Sequence, residues 1–163
     1  MKYIIPTLLF VFLFCCISIA QETASATAMG TYSLASSLTA TKLADLNFGN
    51  LIVGINTIVQ PTDAHAAQFL INGNGNSVVQ ITISFPSDLT CGSNTMKFHT
   101  LVPLYGTIPD AVSALQFQQT SGGSASTGAD GNLYIWAGGG IMASINQAAG
   151  NYAGIIELVV TQP

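Results

Sequence analysis

The segment Val79-Gln80-Ile81-Thr82-Ile83-Ser84-Phe85-Pro86 decides the fold class. Val79, Ile81, Ile83 and Phe85 take every second position, and Gln80, Thr82 and Ser84 fill the gaps. Side chains alternate faces along a β-strand, so this pattern turns one apolar face to a core and one polar face to water. Pro86 has no N–H to give to a ladder and stops the run. The same period recurs outward. Met96, Phe98 and Thr100 alternate with Lys97 and His99, and Leu115 and Phe117 with Gln116 and Gln118. Leu133, Ile135 and Ala137 follow a turn signal at Asp130-Gly131-Asn132, and Ile141, Ala143 and Ile145 follow the triplet Gly138-Gly139-Gly140. At the end Ile156, Leu158 and Val160 alternate with Glu157, Val159 and Thr161. Asn72-Gly73-Asn74-Gly75-Asn76 reads as a loop tolerant of positive φ, and residues 121–131 as a mobile Gly/Ser surface loop. No stretch shows a helical period; residues 110–115 suffice for one short turn. Short strands at regular spacing without helices predict an all-β, antiparallel β-sandwich in a single domain.

Composition narrows what this sandwich can do. Three lysines, seven acids and no arginine make up 6% charge, against roughly 25% in an ordinary domain. An acidic chain without arginine offers no phosphate-binding surface, which excludes nucleic acid. Hydrophobic residues at 49% exclude a solvated disordered chain.

Part of that hydrophobicity lies at the start. Lys2 precedes an apolar run over residues 4–17, broken by Pro6 and Thr7, and Ser18-Ile19-Ala20 closes it with small residues two apart. The run is short for a membrane span, and the pattern predicts a secretory signal peptide, residues 1–20, cleaved after Ala20. The remaining 143 residues carry two lysines against seven acids, a net charge of −5, with no further run of spanning length. Cys15 and Cys16 leave with the signal, so lone Cys91 has no intrachain partner and reads as a small buried hydrophobe.

Residues 21–37 form an N-terminal extension ahead of a body at 38–163. Its even positions (Ala24, Ala26, Ala28, Gly30, Tyr32, Leu34) are mostly small or apolar, and its odd positions are mostly hydroxyl-bearing. The parity continues in Leu38, Ala40, Leu46 and Phe48, interrupted by Lys42. The pattern suits a first strand, and equally a donor strand that pairs with a neighbouring copy through Ala26, Ala28, Gly30, Tyr32 and Leu34.

Several segments, in order, resemble the DUF4402 family of bacterial secreted proteins. They are Leu43-Ala44-Asp45-Leu46-Asn47-Phe48-Gly49, Phe69-Leu70-Ile71-Asn72-Gly73, Ile81-Thr82-Ile83-Ser84-Phe85-Pro86, residues 133–142 as a strand–glycine–strand hairpin, and Gln147-Ala148-Ala149-Gly150-Asn151-Tyr152-Ala153-Gly154. The resemblance covers roughly residues 38–161. It implies an immunoglobulin-like, pilin-like sandwich similar to spore-coat-U and chaperone–usher domains, some of which are completed by a donated strand. The cysteine pair of many pilins is missing, and the chain ends in Gln162-Pro163 where the family often has an aromatic.

The residues for chemistry are sparse. His65 follows Asp63 in a predicted loop, and His99 takes a polar strand position. Metal-ligand spacings, a G-x-S-x-G element and a phosphate loop are all missing. Asp130-Gly131-Asn132 reads as a turn in preference to a calcium arm. The expectation is therefore no catalytic residue, no cofactor and no metal. Tyr105, Tyr134, Trp136 and Tyr152 are the aromatics suited to a glycan or subunit contact. Together these readings predict a secreted, non-enzymatic subunit of a cell-surface filament, pilus-like fibre or matrix. Its partners would be copies of itself or related surface subunits, joined by strand donation. A monomeric adhesin or carbohydrate-binding module is the alternative.

Overall fold

A computed structural model of the chain describes residues 23–32 and 38–163. The predicted signal peptide and Leu34 lie outside these residues. Among the described residues the chain is all-β, with fourteen strands in two sheets and no helix long and apolar enough to cross a membrane.

The large sheet is organised around the last strand, β14 (Asn151–Thr161). One edge of β14 pairs antiparallel with β6 (Val78–Ser84) and then, beyond Pro86, with β7 (Asp88–Cys91). Pro86 packs on Gly154, where a Cβ would come within 2.9 Å of the proline ring. The other edge of β14 pairs with β1 (Thr23–Tyr32), which in turn pairs with β3 (Leu46–Asn50). β11 (Gly122–Ser126) adds to β6, and β8 (Asn94–Thr100), β13 (Gly139–Met142) and β4 (Asn56–Val59) extend the sheet from β7. The small sheet runs in the order β10 (Leu115–Gln116), β9 (Leu104–Gly106), β12 (Asn132–Ala137), β5 (Ala67–Asn72) and β2 (Thr39–Ala44).

On four strands the inward faces are those the alternation predicts, whereas at β10 Leu115 is exposed and only Phe117, just beyond that strand, is buried. Val79, Ile81 and Ile83 are buried on β6, Met96 and Phe98 on β8, Leu133 and Ile135 on β12, and Ile156, Leu158 and Val160 on β14. They meet Phe69 and Ile71 of β5 in one core. Fully burying each such side chain is worth about 1.5–3 kcal/mol.

Three expectations are corrected. The Gly138 triplet is not a hairpin: β12 pairs with β5 and β9 in the small sheet, and β13 with β8 and β4 in the large one. The chain changes sheets at Gly138, where a Cβ would lie 2.4 Å from the Val59 carbonyl oxygen. The Gly/Ser run is not a loose loop, because residues 122–126 form β11 against β6. Gly122 and Ala125 are its buried positions, and Thr127 just beyond it is buried too. The Thr127 hydroxyl donates to the Asn74 carbonyl at 2.6 Å and accepts the Ser77 N–H at 2.9 Å. Finally, the strand after the triplet ends at Met142, and Ile145 is exposed in a turn closed by the Gln147 N–H to the Ser144 carbonyl.

Candidate functional site

The N-terminal strand is seated in a slot between β14 and β3. Its ladder with β14 runs in parallel for ten residues, from Thr23 opposite Asn151 to Tyr32 opposite Val160. Every other ladder among the described residues is antiparallel. Parallel neighbours need a long crossover, and here almost the whole body of the domain separates β1 from β14. The antiparallel ladder with β3 is shorter. It covers Thr23–Ala26, with a bulge between Ala24 and Ser25, and stops at Ala26 opposite Leu46.

Small side chains let the strand lie deep. Ala26 and Ala28 are buried. They stand opposite Gly154 and Ile156 of β14, and Gly30 stands opposite Leu158. At Gly30 a Cβ would sit at ordinary contact distance, 3.5 Å, from both the Cβ and the carbonyl oxygen of Ala40 on β2. The predicted donor positions Ala26, Ala28 and Gly30 thus share one inward-facing row. Tyr32 stands opposite Val160 at the end of the ladder.

Where β3 ends, a carboxylate takes over. Asp45 is the single residue between β2 and β3, at the point where the chain changes sheets. Its Oδ1 accepts the Ala28 N–H at 3.1 Å, and the Lys42 ammonium lies 2.9 Å from the same oxygen. Partial burial pushes the Asp45 carboxyl up, but the Lys42 hydrogen bond, the Ala28 N–H and the Lys42 charge outweigh it and hold it below its ordinary value. The ionised form is therefore the one that grips the arm.

The other aspartates close local structure. Asp63 accepts the Gln60 N–H at 2.6 Å, and Asp110 accepts the Val112 N–H at 3.0 Å. Asp88 is bonded to Lys97 and Ser87. Asp130 accepts the Asn132 N–H and side-chain amide, which lower its carboxyl, and Gly131 at φ 80° completes that turn. Among the described residues no three His, Cys, Asp or Glu side chains gather as a metal site would require. His65 is tied through its carbonyl, which accepts the Asn47 N–H. His99 stands beside Gly140 on the outer face of β8. Half-buried Cys91 packs against Gly150.

Two of the four aromatics offered for surface contact are corrected. Tyr152 is 1% exposed; its hydroxyl donates to the Ala148 carbonyl at 2.7 Å and accepts from Gln147 Nε2 at 2.6 Å. Trp136 does face away from the core, as its parity requires, yet it is buried beside Gly106 and stacked on Tyr134. Tyr134 and Tyr105 are half-buried.

No protein-family model matches the chain, and no curated protein matches it. The likeness to DUF4402 rests on the quoted motifs alone.

Proposed function

We propose that the chain is a secreted, non-enzymatic structural subunit that polymerises by strand donation, the arm of one copy filling the slot between β14 and β3 of the next. The seat of β1 carries this reading. It is a full-length main-chain ladder joined to small side chains, with no bulky anchor among Ala26, Ala28 and Gly30. Such a strand is held mostly by groups that every copy offers identically, so exchange between copies preserves each contact. Low charge adds support, because a surface packed against its own copies needs less of it for solubility. The five aspartates of the body serve turns and lysines, which leaves few carboxylates for general acid–base work. The apolar start over residues 4–17 supports export.

Deleting residues 21–36 tests the reading. Negative-stain microscopy and size-exclusion chromatography should show fibres from the intact chain and none from the deletion. A synthetic peptide of residues 21–36 should restore a folded 1:1 complex. A truncated chain that still polymerises shows that the arm is not the linker.

A further inference from the structure

At the margin of the large sheet away from the arm, β11 and the segment 117–121 enclose an open cleft of about 330 Å³ against β6 and β9. A second cleft of about 700 Å³ shares Tyr105 and Ser124 with it, and the two adjoining clefts are together called the trough. The size of each cleft suits a small-molecule ligand. Four of the chain's nine glutamines (Gln80, Gln116, Gln118 and Gln119) line the first cleft, and among the described residues no charged one lines either cleft.

The site is built before any ligand arrives. The Phe117 N–H donates to the Pro103 carbonyl at 3.1 Å, and the Ser121 carbonyl accepts the Ile83 N–H at 2.9 Å, which pins both ends of the segment. Tyr105 packs against Phe117 with ring centroids 4.5 Å apart. The Ser124 hydroxyl donates to Gln80 Oε1 at 2.6 Å, and the Ser121 hydroxyl donates to Gln119 Oε1 at 3.4 Å. Both amides are thereby oriented through their oxygens, and their NH₂ donors have no partner among the described residues. Gln116 and Gln118 flank buried Phe117 and are exposed.

We propose that this trough binds a short neutral oligosaccharide, with the glutamine amides bridging sugar hydroxyls and Tyr105 as the apolar platform. A sugar hydroxyl both donates and accepts, as a primary amide does, and pyranose C–H faces pack on aromatic rings. Among the described residues a phosphate or carboxylate ligand finds no counter-charge, since neither Lys42 nor Lys97 lines the trough. Preorganised side chains reduce the ordering cost of binding. This site is independent of strand donation, because it lies on other strands.

The test uses the full chain as secreted, titrated by calorimetry with neutral tetraoses of glucose, galactose, mannose and xylose and with uronate oligomers of the same length. At least one neutral tetraose should bind at millimolar concentration or below, and no uronate oligomer more tightly. Gln116→Ala with Gln118→Ala should weaken that binding about tenfold or more, while Thr41→Ala on distant β2 leaves it unchanged. Both glutamines are exposed, so an unchanged circular dichroism spectrum is expected of the double variant. The proposal is overturned if no neutral tetraose binds, if binding survives the double substitution, or if a peptide of residues 21–36 occupies the trough instead.

Discussion

Replacing Asp45 with Ala should loosen the arm without unfolding the body. The variant loses the Ala28 N–H bond at 3.1 Å and the Lys42 ion pair. A hydrogen bond to a charged group is worth about 1.5–3 kcal/mol. The Asp45 side chain is 47% exposed, so solvent screening reduces this to about 1–1.5 kcal/mol, and the Lys42 ion pair, being within the body, adds nothing to the hold on the arm. The expected loss of about 1–1.5 kcal/mol corresponds to roughly 5–12-fold. Native-state hydrogen exchange reads it directly. The amides of Thr27 and Met29, which strand alternation turns toward β14, should exchange faster by that factor, while those of Leu133 and Ile135 on β12 should not change. Acid should reproduce the effect. Because the folded carboxyl is lowered, its contribution is complete above the ordinary carboxylate value of about 4 and is lost as pH falls through the lower folded value. Arm protection in the unaltered chain should therefore hold from neutrality to about pH 5 and fall only in stronger acid. Unchanged exchange in Asp45→Ala, equal acceleration in β12, or loss of protection already at pH 5 would refute the reasoning.

Three further outcomes are open to denaturant titration. Gly138→Ala should destabilise by about 1–3 kcal/mol, since its Cβ would meet the Val59 carbonyl at 2.4 Å, whereas Gly140→Ala, with nothing nearer than 3.5 Å, should stay within about 0.5. Ala26→Leu, at a position with 0% exposure, should cost about 1–3 kcal/mol by overfilling the slot, and should raise proteolytic cleavage within β1 before the body is cut. Tyr152→Phe should cost about 1–2 kcal/mol, because it leaves the Ala148 carbonyl without its 2.7 Å donor.

The elements legible in the sequence are those whose inward residues are large. β6, β12 and β14 announce both their existence and their buried face through Ile, Leu and Val at every second place. β11 has the same period, but Gly123 and Ala125, and Thr127 just beyond it, are too small for the alternation to stand out from a Gly/Ser loop. The Gly138 triplet misleads for another reason. A tight turn and a crossing between sheets both require small residues, and only the partners far along the chain, β5 on one side and β4 on the other, distinguish them.

The arm divides in the same way. Its alternation marks Ala26 and Ala28 as inward, but a parallel partner at the opposite end of the chain leaves no local trace. Parity places Trp136 outside the core; what then covers it depends on the segment around Gly106. The glutamine cleft is the extreme case, since Gln80 and residues 116–119 become neighbours only once β11 lies against β6.

Strand donation between copies is tested most directly by isotope-mixed cross-linking. Thr27→Cys and Ile155→Cys join register partners of β1 and β14, with Cys91→Ala removing the native thiol. Chains grown in ¹⁴N and ¹⁵N media are mixed before assembly, oxidised and analysed by mass spectrometry. Donation predicts that assembled material contains disulfides joining ¹⁴N to ¹⁵N chains. Disulfides confined to single chains throughout the assembled material would contradict it.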